Sequence, residues 1–279
     1  MTDGPRALDQ PAIGEGDLAA LTEVAARWSR DLMGWGIPDE IVRSAEASPW
    51  GWPPSRFRRT PNQREPTHRA ALDGLGEGGT VLDVGVGAGW GSLDLAPPAT
   101  RLVGVDSDPE MLAAFVDNCR ERAIDHRAVE GAWPDVASGV DAADVVVSAH
   151  VVYNVADIVP FVRALTAHAT RRVVIECTAR HPTAWMSPLW RRFHGLGRPQ
   201  QPTADELIEV LSLCCGPLHI ERWRASAWVS QTEGSEVAEF VTRRLCLPAD
   251  RREEVAEALG NTPSDRENVT VWWETGHRP

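Results

Sequence analysis

Between residues 81 and 91 the chain reads Val-Leu-Asp-Val-Gly-Val-Gly-Ala-Gly-Trp-Gly, so that Gly85, Gly87, Gly89 and Gly91 recur at alternate positions just after an acid, Asp83. Glycines at that spacing let a backbone turn sharply and approach a ligand more closely than any Cβ would permit. The loop by itself would suit a dinucleotide equally well. Asp83 shifts the balance, because a carboxylate two residues before the first glycine repels a phosphate and suits a cationic group. Asp106, 17 residues beyond Gly89 and at the end of the next apolar run, is positioned for paired hydrogen bonds to a ribose diol. A ligand bearing a ribose and an ammonium but no phosphate satisfies both acids.

These residues require strands that end where they stand. Thr80 to Val84 and Arg101 to Val105 are short β-branched runs, and a short helix is expected between them, closed by Pro97-Pro98. Asp108-Pro109 supplies an N-cap with proline at the first helical position, and Leu112, Phe115, Val116 and Cys119 give that helix its buried face. A strand near Ala128 to Glu130, an apolar strand at Asp144 to Ala149, a helix capped by Asp157 and a strand at Arg172 to Cys177 continue the alternation. Strands without polar alternation indicate a parallel sheet buried on both faces. Residues 181 to 202 read as an irregular insertion; Thr203-x-x-Glu206 is a capping box, and Leu218 to Arg224 and Asn268 to Glu274 read as two final strands with helices between them. Ahead of the sheet, Leu18, Leu21, Val24, Trp28 and Leu32 follow helical spacing, a second short helix begins near Asp39, and a third spans about Glu65 to Leu75.

Composition excludes several classes. Hydrophobic residues make up 43% and charged residues 24%, the proportions of a globular protein. No apolar run reaches the roughly 20 residues that cross a bilayer, and the N-terminus lacks a secretory signal, so a cytoplasmic location is expected. A formal charge of -12 repels phosphate backbones and argues against a nucleic-acid partner. Every basic side chain is arginine, and Arg56 to Arg59 and Arg191-Arg192 read as solvated faces. Five cysteines without a C-x-x-C pair read as reduced thiols. Twelve tryptophans against one tyrosine exceed what a core needs, so some are expected to line an aromatic pocket. No His or acid pair has metal-ligand spacing, and no metal is expected.

The stretch VLDVGVGAG, with LVGVDSDPEML after it, resembles the cofactor-binding motifs of the class I S-adenosylmethionine-dependent methyltransferases, and the similarity extends from about Pro66 to Cys177. The resemblance implies an α/β, Rossmann-like, mostly parallel seven-stranded sheet with helices on both faces and the last strand antiparallel. An N-terminal helical cap over residues 1–65 would precede a methyltransferase domain over 66–279. It further implies S-adenosyl-L-methionine as cofactor, S-adenosyl-L-homocysteine as product and a small-molecule acceptor. By the family's pattern Gly85, Gly87 and Gly89 face the methionine portion, Asp106 the ribose, and Ser107 and Met111 the adenine. After the third strand the family often shows Gly-Asp-Ala, whereas here the run is Glu130-Gly131-Ala132-Trp133. Either Ala132 takes the acid's place and Trp133 packs on the base, a stacking worth about 1–3 kcal/mol, or Glu130 takes over. A core role for Trp133 is the alternative.

Ser148-Ala-His150-Val-Val-Tyr153-Asn154 resembles the family's strand end beneath the sulfonium, which would put His150 and Tyr153 near the transferred methyl group. His150 is then a candidate general base, or else a hydrogen-bonded structural residue. His181, His194, Trp50 and Trp52 are further candidates for the acceptor side. A dinucleotide-dependent oxidoreductase and a non-catalytic S-adenosylmethionine-binding protein are the competing readings.

Overall fold

The computed structural model describes residues 15–51, 64–260 and 263–276. In chain order the elements are α1 (Glu15–Met33), α2 (Asp39–Ser44), α3 (Pro66–Leu75), β1 (Gly79–Val84), β2 (Ala99–Asp106), α4 (Pro109–Glu121), β3 (His126–Glu130), β4 (Ala143–Ala149) and α5 (Ile158–His168). There follow β5 (Ala169–Thr178), α6 (Ser187–His194), α7 (Ala204–Cys214), β6 (His219–Ser226), α8 (Gly234–Arg244), α9 (Arg252–Leu259) and β7 (Asp265–Glu274). The expected Arg56 to Arg59 face and Trp52 lie outside the described residues.

The strands form one seven-stranded sheet in the order β3-β2-β1-β4-β5-β7-β6. The first five pair in parallel, and β7 runs antiparallel to both β5 and β6. Successive residues of a strand point to opposite faces, and each face has its own core. Leu82, Val84, Val146, Val173 and Ile175 pack with α1, α5 and α7, whereas Val81, Val145, Val147 and Val174 pack with α3 and α4. Helices therefore cover both faces, and α1 belongs to the first core through Trp28, which is fully buried and donates its indole N–H to Val155 O at 2.8 Å.

A third core lies apart from the sheet. Met186, Leu189, Trp190, Phe240, Val241, Leu245 and Val255 bring α6, α8 and α9 together with Ile37 before α2. It draws on both sides of the expected boundary at residue 65.

Several local expectations need correction. Between β1 and β2 the chain makes turns and a single 3-10 turn at Leu93–Leu95 in place of a helix. Gly91 on one side and Pro97-Pro98 on the other leave too few residues to offset helix nucleation. Asp157 stands at the N-cap of α5, but its side chain makes no capping bond. Residues 181–202 are not irregular throughout, since α6 occupies their centre and ends at Gly195, whose left-handed φ of 64° suits glycine. The expected caps at Asp108 and Thr203 are formed: Asp108 accepts from the N–H groups of Glu110 and Met111, and Thr203 and Glu206 make the reciprocal box.

Candidate active site

In an open parallel sheet, loops from adjacent strands diverge where the strand order reverses, and a crevice opens at the strands' carboxyl ends. Here that point lies between β1 and β4, which carry the glycine loop and His150 respectively. Ser148 ties the two lips together by donating its hydroxyl to Val84 O at 3.0 Å.

The loop has the shape the glycines permit. Gly85 has φ 73°, and a Cβ there would lie 2.3 Å from Val151 Cγ2, so the loop packs directly on the turn after β4. The N–H groups of Gly85 and Val86 donate to Val105 O, which holds the loop to the end of β2. At Gly87, with φ 51°, nothing lies within 4 Å of the Cβ position, so that part of the loop borders open space. Gly89 is left-handed too, with φ 95°.

Asp106 stands half-exposed at the end of β2. One carboxylate oxygen accepts from Gly87 N–H at 2.7 Å and the other from Asp108 N–H at 2.9 Å. Each oxygen retains a lone pair for a further donor. Gly131 N–H donates to Asp106 O, which places the Glu130–Ala132 turn beside it. Ser107 is exposed and Met111 half-buried in the first turn of α4. Asp83 is 1% exposed, beneath the loop, and its oxygens lie 3.1 and 3.3 Å from where a Cβ on Gly91 would stand. Its Oδ2 has no hydrogen-bond partner, and burial pushes its pKa up to about 7.

Ala132 is exposed at the end of β3, but the Trp133 ring turns to α5 and meets His168 edge-on at 4.8 Å between centroids. His168 closes α5 at the opposite, amino-terminal edge of the parallel strands, so the Trp133 ring packs away from the crevice.

His150 has a positive φ of 63°, uncommon for a residue with a side chain, though His is among the types that adopt it most readily. Its N–H donates to Glu176 O, and its Nε2 lies 2.9 Å from Glu176 Oε1 and 3.1 Å from Arg266 Nη2. Glu176 is fully buried in β5; its other partners are Thr67 on Oε2 at 2.5 Å and Asn268 on Oε1 at 3.1 Å. Burial alone would raise its pKa, but His150, Thr67 and Arg266 outweigh that and hold it low, so Glu176 is a carboxylate. Nε2 thus stands between an acceptor, the Glu176 carboxylate, and a donor, the Arg266 guanidinium. The Trp90 ring of the glycine loop lies 5.4 Å from the imidazole. Sequence spacing does not predict that Glu176, Thr67, Arg266 and Asn268 meet here. The one sequence signal is a lone acid in the apolar run Val173-Val-Ile-Glu-Cys177.

Tyr153 is buried on the same turn, stacked on Trp28, and its hydroxyl donates to Thr178 O at 2.9 Å. Burial pushes that hydroxyl's pKa far up, so the group stays protonated. His194 is drawn into the third core by Leu245 O at 2.7 Å, while His181 stacks on Trp35 with 3.9 Å between centroids.

Residues 81–171 match the family model described as a methyltransferase domain. The match runs from β1 into β5 and takes in the glycine loop, Asp106 and His150. The domain's relatives include an uncharacterized methyltransferase, YcgJ of Bacillus subtilis, 22% identical over 195 residues that cover 68% of this chain and 69% of the relative. The solved YcgJ structure superposes with a TM-score of 0.51 at 15% identity, covering 75% of this chain and 97% of that one. A structure from work on the conversion of a disulfide bond into a thioacetal group during echinomycin biosynthesis gives a TM-score of 0.53 at 16% identity, covering 86% of this chain and 92% of that one. At these identities the methyltransferase domain shares their fold. Among the described residues no helix is long and apolar enough to cross a membrane.

Proposed function

We propose that this protein transfers a methyl group from S-adenosyl-L-methionine to a small-molecule acceptor by direct in-line displacement. The observation that carries the reading is the crevice at the β1–β4 switch point, where a glycine loop open at Gly87 faces Asp106 above a buried, half-unpaired Asp83. That donor set fits the cofactor. A cation near Asp83 relieves an acid that burial disfavours, and the Asp106 oxygens can accept from a ribose diol while keeping their backbone donors.

In this reading Gly85, Gly87 and Gly89 border the methionine portion and Asp106 holds the ribose. Ser107, Met111 and the Ala132 backbone flank the adenine, while Ser148 keeps the lips of the crevice in register. The cofactor, when bound, supplies an electrophilic methyl group on a sulfonium. His150 takes the acceptor's proton when the acceptor needs deprotonation, with the Glu176 carboxylate beside it stabilising the imidazolium that forms. Tyr153 contributes a wall, since its hydroxyl stays protonated and bonded to Thr178 O. Most of the acceleration comes from holding two reactants in line within a dry crevice.

Calorimetry with S-adenosylhomocysteine tests the cofactor site. Asp106→Ala is expected to weaken binding roughly 10- to 100-fold, the worth of a hydrogen bond to a charged group, in a chain that still unfolds cooperatively. Unchanged affinity would sink the ribose assignment. With labelled S-adenosylmethionine and fractionated small molecules, His150→Ala is expected to lower turnover at unchanged cofactor affinity.

A further inference from the structure

The carboxyl ends of the strands carry the crevice and, between those ends and the third core, an aromatic cavity of about 220 Å³ lined by Trp35, Trp50, Tyr153, His181 and Trp190. The opposite edge of the sheet carries a different chemistry. α7 begins beside the end of β5, where Ala204 N–H donates to Ala179 O, and its 11 residues run about 16 Å toward the amino ends of the parallel strands. It ends there on two adjacent cysteines, Cys214 as its last residue and Cys215 as its C-cap. Their sulfur atoms lie 3.4 Å apart. Both residues are half-buried, whereas Cys119, Cys177 and Cys246 are buried.

The surroundings favour a reactive pair. The Cys215 thiol donates to Cys214, which holds the Cys214 pKa below its ordinary value, while Cys215 keeps its proton. Arg163 on the neighbouring α5 adds a positive charge that favours the ionised form of either thiol. A thiolate is the form that attacks and ligates.

Geometry decides what two such sulfurs can hold. A direct disulfide fits poorly, because adjacent Cα atoms stand about 3.8 Å apart across a trans peptide, short of the roughly 4.4–6.8 Å that disulfides span. One atom bridging both sulfurs needs no such distortion. With bonds of about 2.3 Å, the length at which zinc binds thiolate, sulfurs 3.4 Å apart subtend about 95° at the shared atom. A linear two-coordinate ion would need them about 4.6 Å apart at that bond length, and zinc requires a wider, tetrahedral angle and four ligands. Among the described residues no group of three or more His, Cys, Asp and Glu is placed to hold a metal. A trivalent arsenic centre meets both conditions, since its three bonds stand near right angles beside a lone pair. Where one of those bonds is already to carbon, two thiolates complete it.

We propose that Cys214 and Cys215 form a dithiol site for a monosubstituted trivalent arsenical, at the sheet edge opposite the crevice. Two As–O bonds of an organoarsonous acid break and two As–S bonds form. The two thiol protons leave with the displaced hydroxides as two waters, and arsenic stays trivalent, so no oxidant or reductant is required. The site uses none of the residues assigned to methyl transfer.

The test uses phenylarsine oxide, whose hydrate is such an acid, on the full chain freed of reducing agent. One equivalent is expected to stay with the protein through gel filtration and to mask two of its five thiols, which peptide mapping places at Cys214 and Cys215. Cys214→Ser and Cys215→Ser are each expected to lose at least about a hundredfold in affinity, because the second As–S bond forms within one linked pair. Cys246→Ser, altered in the third core, is expected to bind as the unaltered chain does. Masking of one thiol, bridging of any other pair or no retained equivalent overturns the proposal, and each is read on the unaltered chain whether or not a variant folds. Isolation of the chain with Cys214 and Cys215 joined to each other overturns it too, since the direct bond would then be the better fit.

Discussion

The carboxylate of Asp83 lies under the Gly91 backbone with one oxygen unpaired, and burial, reinforced by Asp106 and opposed by Ser92, pushes its pKa from 3.8 up to about 7. A carboxyl whose pKa is raised on folding binds its proton more tightly in the folded chain, so stability falls as pH climbs from about 4 to about 7 and stays lower above that. The cost at high pH is at most about 4 kcal/mol. Asp83→Asn is therefore expected to raise Tm at pH 8 by several degrees, to leave it unchanged near pH 3, and to weaken S-adenosylhomocysteine binding. A gain of equal size at both pH values would mean that ionisation of Asp83 is not its cause. A substitution that stabilises the chain while impairing its site is the usual mark of an acid kept for a ligand.

The glycine loop shows how element geometry divides the tasks of similar residues. Gly85 and Gly87 are both left-handed, but a Cβ on Gly85 meets Val151 at 2.3 Å and a Cβ on Gly87 meets nothing. Gly85→Ala is expected to cost about 2–4 kcal/mol in urea unfolding, from backbone strain and overpacking together. Gly87→Ala carries the strain alone, about 1–2 kcal/mol, and loses cofactor affinity because its methyl group enters the groove. Equal unfolding costs would contradict this division. Much at this scale was legible from sequence. The apolar runs at Val81–Val84, Val145–Val147 and Val173–Ile175 each appear as a buried parallel strand, and Thr203 and Glu206 make the box their spacing announces. The helix expected after the loop is missing because glycine and proline counts, more than apolar spacing, decide so short a segment. The environment of His150 could not be read, since its partners Glu176 and Arg266, and the Thr67 and Asn268 that bond Glu176, come from three other elements and meet only when the sheet is formed.

Across the molecule, two cores sandwich the sheet and a third joins α2, α6, α8 and α9 beside its carboxyl edge. The segments that wall the aromatic cavity lie far apart in the chain, Trp35 near one end and Arg244 near the other. The tryptophans that composition marked as surplus are partly accounted for there, with Trp35, Trp50 and Trp190 on one cavity. Because its walls come from α1's end, the turn after β4, α6 and α8, the cavity takes shape only once the third core has docked on the sheet, so whatever occupies it would report on the joining of those cores.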